Sequence, residues 1–398
     1  MANWKIYKLC EVANLSTGFP FDGHKYTKEG QRVVRGDNIT IGTLRWDADK
    51  DKRWNETFAR AKEFSLQAGD IVIGMDGSRV GRNRAQIKES DLPLLLAQRV
   101  ACIRHNSQTI QKFLYYQIFS NRFEDYIKSV HTGTSIPHVS LKQIGDFCFQ
   151  VPDLFIQQRI ANILSTLDDK IELNRRINEN LEQQAQALFD FHFIQHPEKL
   201  GSYERGSLID IANYINGLAM QKFRPQIEEK GIPVLKIKEL GQGRTDSSSD
   251  ICSENISKEY IINDGDVIFS WSGTLMVNIW CGGLCGLNQH LFKVTSDKYP
   301  KWFYYFWTKY HLGKFIRIAK DKAVTMGHIK RGDLEKSEVL IPEIETLSKL
   351  DEIISPILNQ IIGIKCENRN LENLRDTLLP KLMSGEIKLS EIETKLDE

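Results

Sequence analysis

Much of what this 398-residue sequence lacks bears on what it can do. It has no run of 18 or more apolar residues, so no segment is expected to span a membrane. The N-terminal stretch MANWKIYKLCEV alternates polar and apolar residues and has no signal-peptide core. Seven cysteines form an odd, scattered set, which suits reduced thiols in the cytoplasm better than a disulfide framework. A net charge of +1 supplies no global basic field to draw in nucleic acid or an acidic membrane. Contact with nucleic acid must therefore come from local basic loops on a nearly neutral body. The remainder is ordinary globular composition, 41% hydrophobic and 26% charged, on a chain long enough for two domains.

Signatures of catalysis are scarce as well. There is no Walker loop, no GxGxxG after a strand, no Asn/Asp-Pro-Pro-aromatic tetrapeptide and no acidic–acidic–Lys cluster. CGGLC at 281–285 has two cysteines, but no second pair or nearby histidine completes a zinc site, and it reads as a buried Gly-rich strand or loop. HTGTSIPHVS at 131–140 places Ser135 three residues before His138, yet it lacks the second glycine of a nucleophile elbow. DKAVTMGHIK at 321–330 echoes it, with Thr325 for Ser135, Gly327 for Pro137, and His328 in the place of His138. A catalytic site is seldom duplicated and half altered, whereas a structural or binding loop often is. A stand-alone hydrolase using Ser135 and His138 is thus the weaker alternative, and a protein-only coiled-coil scaffold is another.

The echo belongs to a duplication of the whole plan. LCEVANLSTG (9–18) is answered by LIDIANYING (208–217), and GQRVVRGDNI (30–39) by GIPVLKIKEL (231–240). FSLQAGDIVIGMDGS (64–78) is answered by YIINDGDVIFSWSGT (260–274), AQRV (97–100) by NQHL (288–291), and FLYY (113–116) by FYYF (303–306). SIPHV (135–139) answers to TMGHI (325–329), and the order is kept throughout. Runs such as RVVRG, DIVIGM and VACIR predict short strands, and Gly69-Asp70 and Gly265-Asp266 predict turns feeding buried strands. Aromatic helices are predicted around 110–120 and 301–312, with their rings in the core.

Each copy runs on into a long helix. Ile160, Leu164, Leu167, Ile171, Asn174, Asn178, Leu181, Ala185 and Leu188 follow an unbroken 4-3 spacing. Leu350, Ile354, Ile357, Ile361, Ile364, Asn368, Leu371, Arg375 and Leu378 mark the second seam. A narrow apolar seam over about four heptads is the coiled-coil pattern, and a seam asparagine fixes register at a cost in stability. Pro356 should start or kink the second helix. The two helices are expected to pair antiparallel, about 40 residues spanning roughly 60 Å.

With catalysis set aside, recognition remains. GMDGSRVGRNR (74–84) carries Arg79, Arg82 and Arg84 on a Gly-rich stretch able to approach a groove and to pair with phosphates or guanine edges. Its counterpart SWSGTLMVNIW (270–280) has no arginine but offers Ser272, Thr274 and Asn278, which can hydrogen-bond bases or phosphates. Arg35 and Lys236 share one repeat position, with Asn38 and Lys238 close by. Thr134, Ser135, His138 and His328 are candidates for touching DNA or for closing each domain.

VPDLFIQQRIANILSTLDDKIELNRRIN (151–178), IPEIETLSKLDEIISPILNQI (341–361), KEGQRVVRGDNI, EKGIPVLKIKEL and AGDIVIG together resemble the specificity subunit of type I restriction–modification systems, over essentially the whole chain. The resemblance implies an α+β fold in which two β-rich α/β target recognition domains, 1–153 and 198–343, are joined by two long antiparallel coiled-coil helices, 154–197 and 344–398. It implies that each domain reads half of a split site on double-stranded DNA. The helices would set the spacer and dock two methyltransferase subunits, and restriction subunits would join the assembly. By the same resemblance this chain is a non-catalytic, cytoplasmic subunit with no cofactor of its own, S-adenosylmethionine and ATP being bound by its partners.

Overall fold

The structure, a computed structural model, describes residues 4–56, 61–132, 137–321 and 328–387. The chain forms two compact units, residues 1–168 with 374–398 and residues 169–373.

The first unit opens with β1 (Lys5–Lys8), α1 (Leu9–Val12), β2 (Ala13–Thr17), β3 (Gln31–Val34), β4 (Ile41–Gly42) and β5 (Arg53–Trp54). It continues with β6 (Ile71–Gly74), β7 (Arg84–Gln86), β8 (Leu94–Leu96), β9 (Val100–His105), α2 (Gln111–Ile118), α3 (Asn121–Val130), α4 (Leu141–Gly145) and β10 (Cys148–Val151). Its sheets run β2-β9-β6-β7-β4 and β5-β3-β8, and β1 pairs antiparallel with β10. All four residues of β6 are buried, as an unbroken apolar run in a central strand should be. Gly69 takes φ +91° to turn the chain into it. Asp70 then accepts from Gln67 N at 2.8 Å and from the Arg104 fork at 2.7 and 2.6 Å, so the turn is tied to β9. The helix of 36 residues that follows, α5 (Leu154–Phe189), begins in this unit. Its Ile160 and Leu164 join a core with Phe113, Phe123, Phe149 and Leu382.

The second unit repeats the plan. Its first half holds β11 (Tyr203–Ser207), α6 (Leu208–Ile211), β12 (Asn213–Asn216), β13 (Ile232–Leu235), α7 (Ile237–Gln242), β14 (Ile251–Cys252) and β15 (Ile261–Ile262). Next come β16 (Val267–Ser270), β17 (Met276–Ile279), β18 (Cys285–Leu287), β19 (Leu291–Thr295), α8 (Lys301–Asp321), α9 (Arg331–Glu335), β20 (Glu338–Pro342) and α10 (Ile344–Met383). The sheet order β12-β19-β16-β17 matches β2-β9-β6-β7. Strand β13 lies parallel to β18 as β3 does to β8, and β11 pairs with β20 as β1 does with β10. The duplication read from sequence is a duplication of topology. The copies differ at the sheet edges, where the first adds β4 and the second β15.

Both aromatic helices supply core: Phe113 and Tyr116 in α2 and Trp302 through Trp307 in α8 are buried. The helix expected around 110–120 is α2, while the one expected over 301–312 runs past its predicted end. In the first unit the helical stretch breaks after Ile118 and restarts as α3, where the Ser120 side chain accepts from Phe123 N at 3.2 Å. In the second unit α8 runs unbroken for 21 residues.

Helix α10 begins at Ile344, so Pro356 does not start it and sits exposed within it. The seam residues turn inward in each unit: Ile160 and Leu164 are buried in the first, and Ile171, Asn174, Asn178, Leu350, Ile354, Ile361 and Asn368 in the second. Leu167, Leu181, Ile357, Ile364 and Leu371 are half-buried. In the second unit Asn174 donates to Asn368 Oδ1 at 2.9 Å and to Glu367 Oε2 at 2.8 Å, and Asn368 donates to Ile171 O at 3.2 Å. The seam partner of Asn368 is thus Asn174, while the buried Asn178 Oδ1 has no hydrogen-bond partner. In the first unit Asp168 accepts from Arg375 at 2.8 Å and from Tyr116 Oη at 2.7 Å.

Burial pushes the Cys281 and Cys285 thiols up to about 12, as a buried Gly-rich segment around β18 would have it. Among the described residues no group of three or more His, Cys, Asp or Glu could hold a metal ion, and no helix is long and apolar enough to cross a membrane.

Candidate nucleic-acid interface

In the first unit four loops meet over one end of the sheets: those after β2, β3 and β6, and the link from β8 to β9. Their positions are fixed by backbone. Phe19 N donates to Leu96 O and Gln98 N to Phe19 O, both at 2.9 Å, which clamps the 97–99 link against the segment after β2. The approach is so close that a Cβ on Gly18 would meet Leu96 O at 2.0 Å. Met75 N donates to Arg99 O at 3.2 Å, Val139 N to Met75 O at 2.9 Å, and Gly77 N to Pro137 O at 3.0 Å. Residues 75–77 are therefore held between 97–99 and 137–139.

A cleft of about 500 Å³ opens among these loops, lined by Phe19, Tyr26, Arg35, Arg79 and Arg99 among others. Asp76 is its hub, accepting from Arg99 Nη1 at 3.1 Å and lying 2.5 Å from His138 Nδ1. The Arg99 side chain is 70% exposed. Arg35 donates to Asp37 at 3.0 Å and its guanidinium sits 5.7 Å from the Tyr26 ring, while its Nε is buried with no partner. Arg79 is exposed and makes no ion pair among the described residues. The cleft thus presents guanidinium forks and aromatic faces, the groups suited to phosphates and base edges.

The second unit builds the same frame with other side chains. Leu218 N donates to Leu287 O at 3.0 Å, Gln289 N to Leu218 O at 2.8 Å, and Ile329 N to Trp271 O at 3.0 Å. Ser272 pairs with His328 by an isolated bridge, as Asp76 does with His138. Ser272 Oγ lies 3.1 Å from His290 Nδ1, and Trp271 has His290, Phe292 and His328 rings around it at 5.7–6.1 Å. Lys236 pairs with Asp250 beside a cleft of about 410 Å³ that also takes in Arg224 and Asn288.

Several candidates read from sequence are occupied elsewhere. Asn38 is fully buried: its amide donates to Arg45 O at 3.1 Å and Lys50 O at 3.0 Å, and its Oδ1 accepts from Arg35 N at 3.0 Å. It staples a loop and has no surface to offer DNA. Arg84 is buried on β7, donates to Gly81 O at 2.7 Å and Phe119 O at 3.3 Å, and lies between the Phe119 and Phe123 rings. Burial lowers its pKa, with Glu124 opposing the shift. Arg82 is exposed but donates to the same Glu124 at 2.7 Å, so of the three loop arginines only Arg79 faces the cleft. Lys238 donates to Ser248 Oγ at 2.8 Å. Asn278 lines a different cavity of about 450 Å³ with Arg175 and Arg369, of which Lys236 is not a lining residue. Thr134 and Ser135 lie outside the described residues, as do Thr325 and Gly327 of the echoing loop. The sequence reading took in Ser272 but missed Asp76, Arg99, Tyr26, Trp271 and His290. The AQRV/NQHL match carried the signal, placing Arg99 opposite His290 beside an unchanged glutamine.

The model of the type I restriction modification DNA specificity domain matches residues 1–183 and again 202–375. The chain belongs to that family. Its two matches take in the two copies of the DNA specificity domain plan described above. The chain is 27% identical over 325 residues to the type I restriction enzyme MjaIX specificity subunit of Methanocaldococcus jannaschii, covering 75% of this chain and 74% of that one. It is 22% identical over 469 residues to the HindI specificity subunit of Haemophilus influenzae, covering 97% of this chain and 100% of that one. Among solved structures, the type I restriction-modification S subunit from M. genitalium superposes with a TM-score of 0.60 at 16% identity, covering 96% of each chain. That likeness is one of fold.

Proposed function

We propose that this chain is the DNA-specificity subunit of a type I restriction–modification complex and is itself non-catalytic. Residues 1–153 and 198–343 are its target recognition domains, each reading one half of a bipartite site on double-stranded DNA. Residues 154–197 and 344–398 supply two helices that pair as an antiparallel coiled coil, set the spacer and dock two methyltransferase subunits. S-adenosylmethionine is bound by those partners and ATP by restriction subunits, and the assembly works in the cytoplasm. The reading rests chiefly on one observation: two copies of one backbone frame carry different side chains at matched loop positions. Buried seam residues along both long helices, with the Asn174–Asn368 bond among them, support the helical pairing.

The test is to sequence modified adenines in cells that carry this chain with its methyltransferase. The expected result is one split motif with a fixed spacer, and insertion of one heptad in each helix should change the spacer alone. Absence of any split motif would overturn the proposal.

A further inference from the structure

Three loop positions correspond between the copies in sequence, 76 with 272, 99 with 290, and 138 with 328, and the first and third are matched by equivalent backbone bridges as well. They carry Asp, Arg and His in the first unit and Ser, His and His in the second. In each unit the first member is bonded to the second, Asp76 to Arg99 and Ser272 to His290, and bridges by its backbone to the third. The frame is common and the chemistry at its tip is not.

From this we infer that positions 76 and 99, with 272 and 290, are the specificity-determining pairs of the two half-sites, and that Arg99 selects a guanine in the half read by the first unit. The inference rests on the DNA-specificity reading above and goes beyond it by naming the residues and a base. Arginine presents five donors in a fixed fork. Asp76 takes Nη1 of Arg99, and His138 holds Asp76 from its other oxygen, so the fork is oriented before it meets a ligand. The remaining edge, Nε and Nη2, has no partner among the described residues and is the edge that matches O6 and N7 of guanine in the major groove. A fork held in one orientation loses less freedom on binding than a free surface arginine. His290 beside Ser272 offers no such edge, so the second half-site has no matching demand for guanine at that place.

The experiment uses the whole chain co-expressed with its methyltransferase subunits, and reads the modified-adenine motif for the wild type, R99K, R99H and the double variant D76S/R99H. R99K keeps the charge and removes the fork. The expected result is that one guanine in one half of the motif becomes degenerate, with discrimination there falling roughly 5- to 150-fold, while the other half and the spacer stay as they were. An unchanged motif in R99K and R99H would overturn the inference. So would a uniform fall in methylation at every site with the motif intact, which would make Arg99 a phosphate contact. A wild-type complex that yields no split motif would instead overturn the underlying reading, so the two failures are distinguishable.

Discussion

In the first unit an exposed arginine is held by an aspartate; at the matching place in the second a serine meets a histidine. Beneath them the backbone is laid out alike, with equivalent clamps at Phe19–Gln98 and Leu218–Gln289 and equivalent bridges at 76–138 and 272–328. The supporting turns are of one kind too, Gly69 at φ +91° and Gly265 at +88°, each followed by an aspartate that caps its own loop. Different side chains at the loop tips of a shared frame are what two different half-sites require. It also separates residues that hold the frame from residues that face a ligand.

The largest effects should come from breaking the frame, and they should be the same kind of effect in either unit. A Cβ on Gly18 would meet Leu96 O at 2.0 Å and one on Gly217 would meet Asn288 O at 2.2 Å. Gly18→Val and Gly217→Val should each destabilise by roughly 4 kcal/mol or more, since backbone must move in both. Thermal unfolding of the two variants checks this; a mild loss in one of them would show that the frames are not equivalent.

A graded difference is expected one layer up. Asp70 is buried and bonded to the Arg104 fork, whereas Asp266 is only partly buried and bonds Lys293 at 2.9 Å. Asp70→Asn should cost roughly 2–3 kcal/mol, since a buried carboxylate loses both arms of a fork, and Asp266→Asn about 1.5 kcal/mol, since a partly exposed carboxylate loses one contact to a single ammonium. Denaturant titration of both variants gives the ratio, and equal losses would contradict it.

The smallest effect distinguishes bracing arginines from reading ones. Arg82 is half exposed and donates its Nε to Glu124. Arg82→Ala should cost within about 1 kcal/mol and leave the methylation motif untouched. A changed motif would return Arg82 to the set of reading residues.

The duplicated plan, the seam and the Gly-Asp turns were legible because they depend on residue order and period, which the chain carries locally. Ile160, Leu164, Ile171, Leu350, Ile354 and Ile361 are buried where a 4-3 spacing puts them. The site was less legible, because whether a polar side chain faces solvent is decided by distant partners. Arg84 reads as a free charge until Glu124 and Phe119, 40 and 35 residues on, close over it. Asn38 reads as a donor for DNA until Arg45 O and Lys50 O are seen to take it. Arg99 went unnoticed for the opposite reason: a lone arginine in AQRV gains meaning only when Asp76 is brought to it across 23 residues. The break between α2 and α3 hung on one serine cap.

The central claim is that two copies of one frame read two half-sites independently. It is tested most directly by replacing residues 1–153 with a second copy of residues 198–343 and sequencing modified adenines in cells that also carry the methyltransferase. The account predicts that both halves of the split motif become the half now read by the second unit, with the spacer unchanged. A motif that keeps its original two different halves, or that changes in both at once, would contradict it.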